Sequence, residues 1–139
     1  MGLVSDAGTP LISDPGYNLV KTAHLNNILV SPVPGACAGV AALSVSGIPT
    51  DRFCFEGFLP SKAGERKTRL QELVNEPRTL IFYESPARVQ SSINTMVDVF
   101  GSERQASFSR ELTKSYETIK TGTLAELKNF VEADKNQSL

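Results

Sequence analysis

The sequence predicts an α/β fold: the end of a parallel, doubly wound domain, then most of a second α/β domain with a mixed sheet. Three observations carry this expectation. Short apolar runs at Ile28–Val33, Phe53–Phe58 and Thr79–Tyr83 read as strands, and segments between them repeat their apolar residues at helical spacing. Two strand–turn–helix units follow one another near the start, each with Gly and Pro in its turn. The composition, 40% hydrophobic and 21% charged over 139 residues, is that of a core-forming chain.

Taken in order, Leu3-Val4 reads as the end of a strand that runs into a loop of small, polar and turn-forming residues. Asp14 is the expected N-cap of a helix over Pro15–Asn26, with Pro15 at its first position and Leu19, Val20 and Ala23 on one face. Strand Ile28–Val33 turns through Pro34-Gly35 into a helix over Ala36–Ser46. Small and apolar residues surround that helix, which predicts burial on all sides. The break at Gly47-Ile48-Pro49-Thr50 sets the expected boundary between residues 1–48 and residues 49–139.

In the second part Phe53–Phe58 is a strand and Leu59–Gly64 a loop. Leu70, Leu73 and Val74 predict a helix over Glu65–Glu76, stopped by Pro77. Thr79–Tyr83 suits a central strand buried on both faces. Ser85-Pro86 reads as the opening of a helix carrying the stripe Val89, Ile93, Met96, Val97 and Phe100, closed by Gly101. Gln105–Ser109 and Tyr116–Thr121 are expected as an antiparallel pair. Thr123 and Glu126 form a capping box for a last helix with Leu124, Leu127, Phe130 and Val131 inward.

The net charge of −1 rules out an overall basic field, though not a local one. Cys37 and Cys54 fit a reduced, cytoplasmic protein better than a disulfide framework, and neither has metal-ligand spacing to the single His24. No apolar run approaches the roughly 20 residues of a membrane span. In open α/β sheets ligands bind beyond the carboxyl ends of strands, so Ser5, Asp6, Gly8 and Thr9 are placed for a small polar ligand; a plain βα turn is the alternative.

Val4-Ser5-Asp6-Ala7-Gly8-Thr9-Pro10-Leu11-Ile12-Ser13-Asp14-Pro15-Gly16 resembles the signature loop of the tetrapyrrole methylase superfamily, the class III S-adenosylmethionine (SAM) methyltransferases. Four further stretches resemble its ribosomal RNA small subunit methyltransferase I branch, in that branch's order: Pro34–Ala38, Asp51–Pro60, Arg78–Ser85 and Arg110–Lys114. The resemblance covers nearly the whole chain and implies an internal fragment, with segments expected on both sides that complete the cofactor cleft and the second sheet. It implies a tetrapyrrole methylase-like fold, SAM as cofactor, no metal, homodimers, and 2′-O-methylation of a cytidine in 16S ribosomal RNA of the small subunit.

Residue by residue, the resemblance sets Asp6, Ala7, Gly8, Thr9 and Pro10 beside SAM, Pro34, Gly35, Ala36 and Cys37 on its other side, and Phe55 to Leu59, with Phe58 among them, over the adenine end. Methyl transfer from a sulfonium needs chiefly alignment, which small residues and backbone groups supply. A ribose hydroxyl is a weak acid and gains from a base or a cation; Glu84, Glu111 and Lys114 are candidates, and Asp6 is another. Glu84 as a helix cap and Arg110, Glu111 and Lys114 as a solvated loop are the structural alternatives. Of Lys62, Arg66, Lys67 and Arg69, three crowd the first turns of the Glu65–Glu76 helix, where cations oppose its dipole unless phosphate binds there; with Arg110 they are the candidate RNA contacts, and an ordinary exposed helix face is the alternative. A small-molecule methyltransferase of tetrapyrrole type and a non-catalytic binding module remain open as other functions.

Overall fold

The computed structural model describes residues 1–137. Its elements are α1 (Tyr17–Leu25), α2 (Ala38–Val45), β1 (Phe53–Phe58), α3 (Ala63–Glu72), β2 (Thr79–Tyr83), α4 (Val89–Phe100), β3 (Gln105–Arg110), β4 (Thr118–Thr123) and α5 (Leu124–Gln137). β1 and β2 pair in parallel, from Phe53 opposite Thr79 to Phe58 opposite Tyr83. β3 and β4 pair antiparallel, from Gln105 opposite Thr123 to Arg110 opposite Thr118. Parallel and antiparallel pairing are thus both present, in two separate two-stranded sheets rather than one mixed sheet.

Apolar stripes hold the helices to these ladders. Leu70 of α3 is fully buried, and Leu59, Leu73, Ile93, Leu124 and Leu127 are nearly so. These side chains lie where α3 meets α4 and α4 meets α5. At the start of α5 the capping box forms: the Thr123 N–H donates to Glu126 Oε2 at 2.9 Å and the Glu126 N–H to Thr123 Oγ1 at 3.2 Å. Gly122 makes room for it, since a Cβ there would stand 2.1 Å from Glu126 Oε2.

Several expectations are corrected. Leu3-Val4 and Ile28–Val33 join no ladder among the described residues, and Leu29 and Val33 are largely exposed. A strand needs a neighbour for its backbone groups, and a suitable apolar pattern does not supply one. α1 begins at Tyr17 behind Gly16 instead of at Pro15 behind Asp14. Gly16 takes φ 134°, and a side chain there would meet Leu11 and Leu3 within 3 Å, so those leucines set where the helix starts. α2 is shorter than expected and buried only at Gly39 and Leu43. β2 is half-buried, because it pairs on one edge alone. Ser85 supplies a carbonyl, not a side-chain cap, to Arg88 and Val89, and α4 proper starts at Val89.

The free edges of β2 and β3 flank an open apolar groove of about 860 Å³, lined also by α2 and α4. No helix among the described residues is long and apolar enough to cross a membrane.

Candidate functional site

The loop after Val4 owes its shape to its residue types. Ser5 folds back on it, its hydroxyl donating to the Ala7 carbonyl at 3.1 Å. Gly8, Leu11 and Ser13 all take positive φ, of 75°, 71° and 56°, which packs several reversals into a short span. The result is a compact loop that presents Asp6, Ala7 and Gly8 to solvent and turns Thr9 and Pro10 partly inward.

That loop meets the Pro34–Cys37 turn directly. The Thr9 hydroxyl donates to the Ala36 carbonyl at 3.0 Å across 27 residues of sequence. A Cβ on Gly8 would be in ordinary contact with the same carbonyl at 3.4 Å, so it is the φ of 75° that favours glycine there. The loop's far end reaches β1: the Ser13 hydroxyl lies 3.7 Å from where a Gly57 Cβ would be, at the irregular step between Phe55 and Gly57. Gly8 and Thr9 of the loop therefore meet Gly35 and Ala36 of the turn, and Ser13 approaches Gly57 of β1. Phe58, at the carboxyl end of β1, is more than half exposed and packs edge-on against Tyr83.

The candidate acid–base groups divide. Both oxygens of Glu84 are engaged: one accepts from the Ser85 N–H at 2.8 Å and pairs with Arg88 at 2.8 Å, the other accepts from the buried Ser92 hydroxyl at 2.7 Å. Arg88 in turn reaches the Leu59 carbonyl. Glu84 thus ties the ends of β1 and β2 to the start of α4. Glu111 takes φ 51° in the loop after β3 and pairs with Lys114 at 3.2 Å, both side chains about half exposed or more. Glu84 lines the apolar groove, whereas Glu111 and Lys114 lie off it.

The candidate RNA contacts divide too. Arg66 is 5% exposed, with its guanidinium donating to Thr95 Oγ1 and the Ser61 carbonyl, both at 3.2 Å. It holds α3 to α4 and leaves the basic face. Arg69 bridges Glu56 and Glu72, at 2.6 Å each, which raises its pKa. Lys62 pairs loosely with Glu65 on the surface, and Lys67 is exposed beside it. Arg110 clasps both oxygens of Asp134 on α5 and holds that carboxyl below its ordinary pKa. Tyr83, unassigned from sequence, sits at the junction of the site: its hydroxyl accepts from the Gly39 N–H of α2 at 2.9 Å. Its place at the end of an apolar strand was the available signal.

The family model for tetrapyrrole (corrin/porphyrin) methylases matches residues 2–128. The chain is similar to proteins named ribosomal RNA small subunit methyltransferase I. It is 58% identical to that of Pseudomonas aeruginosa, over 99% of this chain and 49% of the relative. It is 56% identical to that of Xylella fastidiosa, over 99% of this chain and 50% of the relative. For Escherichia coli O157:H7 the identity is 51%, over 99% and 48%. The chain thus spans about half the length of these relatives. Among solved structures the methyltransferase CobJ shares the fold, with a TM-score of 0.62 at 18% identity, over 86% of this chain and 55% of CobJ. With the family model matched across nearly the whole chain, and its signature loop folded against the Pro34–Cys37 turn, the chain belongs to the tetrapyrrole methylase family.

Proposed function

We propose that this chain carries the cofactor-facing loops of a SAM-dependent methyltransferase that methylates the 2′-hydroxyl of a cytidine in 16S ribosomal RNA. The observation that carries the reading is the 3.0 Å bond from Thr9 to Ala36, which joins the two loops the resemblance sets on either side of SAM. The surface suits that cofactor: side chains are small, Gly8 lets the backbone approach, and the exposed Asp6 carboxylate offers an acceptor for hydroxyl or ammonium donors. When bound, SAM supplies a methyl group already activated by its sulfonium.

The protein's part is then alignment and handling of the hydroxyl proton. Asp6, Gly8, Thr9 and the Pro34–Cys37 turn would hold the cofactor, and Phe58 would cover its flat end. Glu111 is the candidate base in this reading: about half exposed, it pairs with Lys114 at 3.2 Å. Glu84, with both oxygens engaged, acts in this reading as a positioning residue. Lys62 and Lys67 remain the cations most open to RNA phosphate, and the names of the relatives support a small-subunit RNA as the substrate.

Calorimetric titration of SAM into this chain, followed by incubation with small ribosomal subunits and labelled SAM, tests the reading. Binding with label in 16S RNA is the expected outcome for the whole protein. SAM binding with methyl transfer only to a tetrapyrrole would replace the substrate; SAM binding only by a version extended at both ends would make this chain part of the site, and binding by neither would remove the cofactor assignment. Size-exclusion chromatography tests the homodimer that the family resemblance implies.

A further inference from the structure

Tyr83 ties β2 to the start of α2, just beyond the Pro34–Cys37 turn. Its hydroxyl accepts the N–H of Gly39, the second residue of α2, at 2.9 Å. Gly39 is buried against it: a Cβ there would stand 3.5 Å from the Tyr83 hydroxyl and 3.4 Å from Ile81 Cγ2. The Pro34–Cys37 turn leads straight into this first turn of α2, and its Ala36 carbonyl accepts the Thr9 hydroxyl. The ring of Tyr83 is fixed in turn by Phe55 and Phe58, edge-on at 5.0 and 5.8 Å between centroids. One side chain therefore connects the first turn of α2, which follows the Pro34–Cys37 turn, with Phe58.

The far end of α2 is held by a different hydroxyl. Thr121 Oγ1 of β4 donates to the Ser46 carbonyl at 2.8 Å. The helix thus has one side-chain bond at each end, from two separate sheets. Only the bond at the Tyr83 end lies next to the candidate site. The Thr121 bond provides a matched case in which α2 loses an anchor away from it.

We infer that Tyr83 is a positioning residue for cofactor binding: its hydroxyl, through the Gly39 N–H, holds the Pro34–Cys37 turn against the signature loop. The inference rests on the SAM reading proposed above. Without the bond, the Gly39 N–H, a first-turn donor with no acceptor inside the helix, loses its partner, α2 loses its tether to β2, and the turn before it is free to shift.

The test compares Tyr83→Phe with Thr121→Val by SAM calorimetry and thermal unfolding. Tyr83→Phe keeps the ring contacts and removes one hydrogen bond; Thr121→Val removes the bond to Ser46 at the other end and, with it, the bond between Thr121 and Ser107. Tyr83→Phe is expected to raise the SAM dissociation constant about five- to tenfold, the size of one hydrogen bond's net contribution. Thr121→Val is expected to lower the unfolding midpoint by a similar amount and leave SAM affinity within twofold. Equal SAM affinity of Tyr83→Phe and the unaltered chain would overturn the inference while leaving the cofactor reading intact. Equal weakening by both variants would overturn it as well, by making any loosening of α2 sufficient. Where the chain alone binds no SAM, the same pair of variants is compared in a version extended at both ends, and no binding by that version would remove the cofactor reading and the inference with it.

Discussion

Arg66 and Lys67 are adjacent in sequence and opposite in environment. Arg66 lies four residues before Leu70, so the two share a face of α3, and that face packs on α4. Lys67 is turned to solvent. Arg66→Ala leaves Ser61 and Thr95 without a buried donor and is expected to cost about 1–3 kcal/mol of stability, read from denaturant unfolding. Lys67→Ala is expected to change stability by under about 0.5 kcal/mol. In RNA binding the order reverses: Lys67→Ala weakens affinity and lowers the salt slope by about one, if it meets a phosphate. An unchanged salt slope would remove Lys67 from the interface. The basic cluster was legible as composition, and its division into structural and surface cations was not. Helical spacing to Leu70 held the missing information, but the local charge drew the eye to the helix end.

At the scale of the element, the two ends of α5 show how far local chemistry reaches. Its start was legible, because a capping box is a pattern within four residues and needs nothing distant. Thr123→Ala is expected to cost about 1 kcal/mol, measured by denaturant unfolding. The Arg110–Asp134 clasp spans 24 residues and was not legible; Arg110 was expected at RNA. Because the Arg110 guanidinium depresses the Asp134 carboxyl below 3.8, the clasp stabilises the fold above that pH and is lost as pH falls through the depressed value. Asp134→Asn should therefore lower the unfolding midpoint at neutral pH, with the gap to the unaltered chain closing as pH falls through the depressed value. A gap independent of pH would show that the carboxylate's charge contributes nothing. The start of α1 was misread for the same reason that the clasp was missed: Leu3 and Leu11 close around Gly16, and Asp14-Pro15 carries no trace of them.

At the scale of the whole molecule, the strands divide by whether they have partners. Phe53–Phe58, Thr79–Tyr83, Gln105–Arg110 and Thr118–Thr123 form ladders, and all four were legible to within a few residues from apolar runs and turn signals. Ile28–Val33 has an equally good strand pattern, yet residues 29–33 make no ladder bond among the described residues. Pattern reports what a segment can do, and pairing depends on a neighbour that pattern does not name. This difference has a direct readout in amide exchange, since protection follows hydrogen bonding and packing around each amide. In hydrogen–deuterium exchange of this chain, peptides covering Thr79–Tyr83 and α4 should be protected for longest, because they border the buried Leu70 and Ile93. The peptide covering residues 29–33 should exchange at close to the rate of an open chain at every protein concentration. Protection there that grows with concentration would mean that the segment pairs with a strand of a second copy, and the free edges of β2 and β3 would be the first places to look for it.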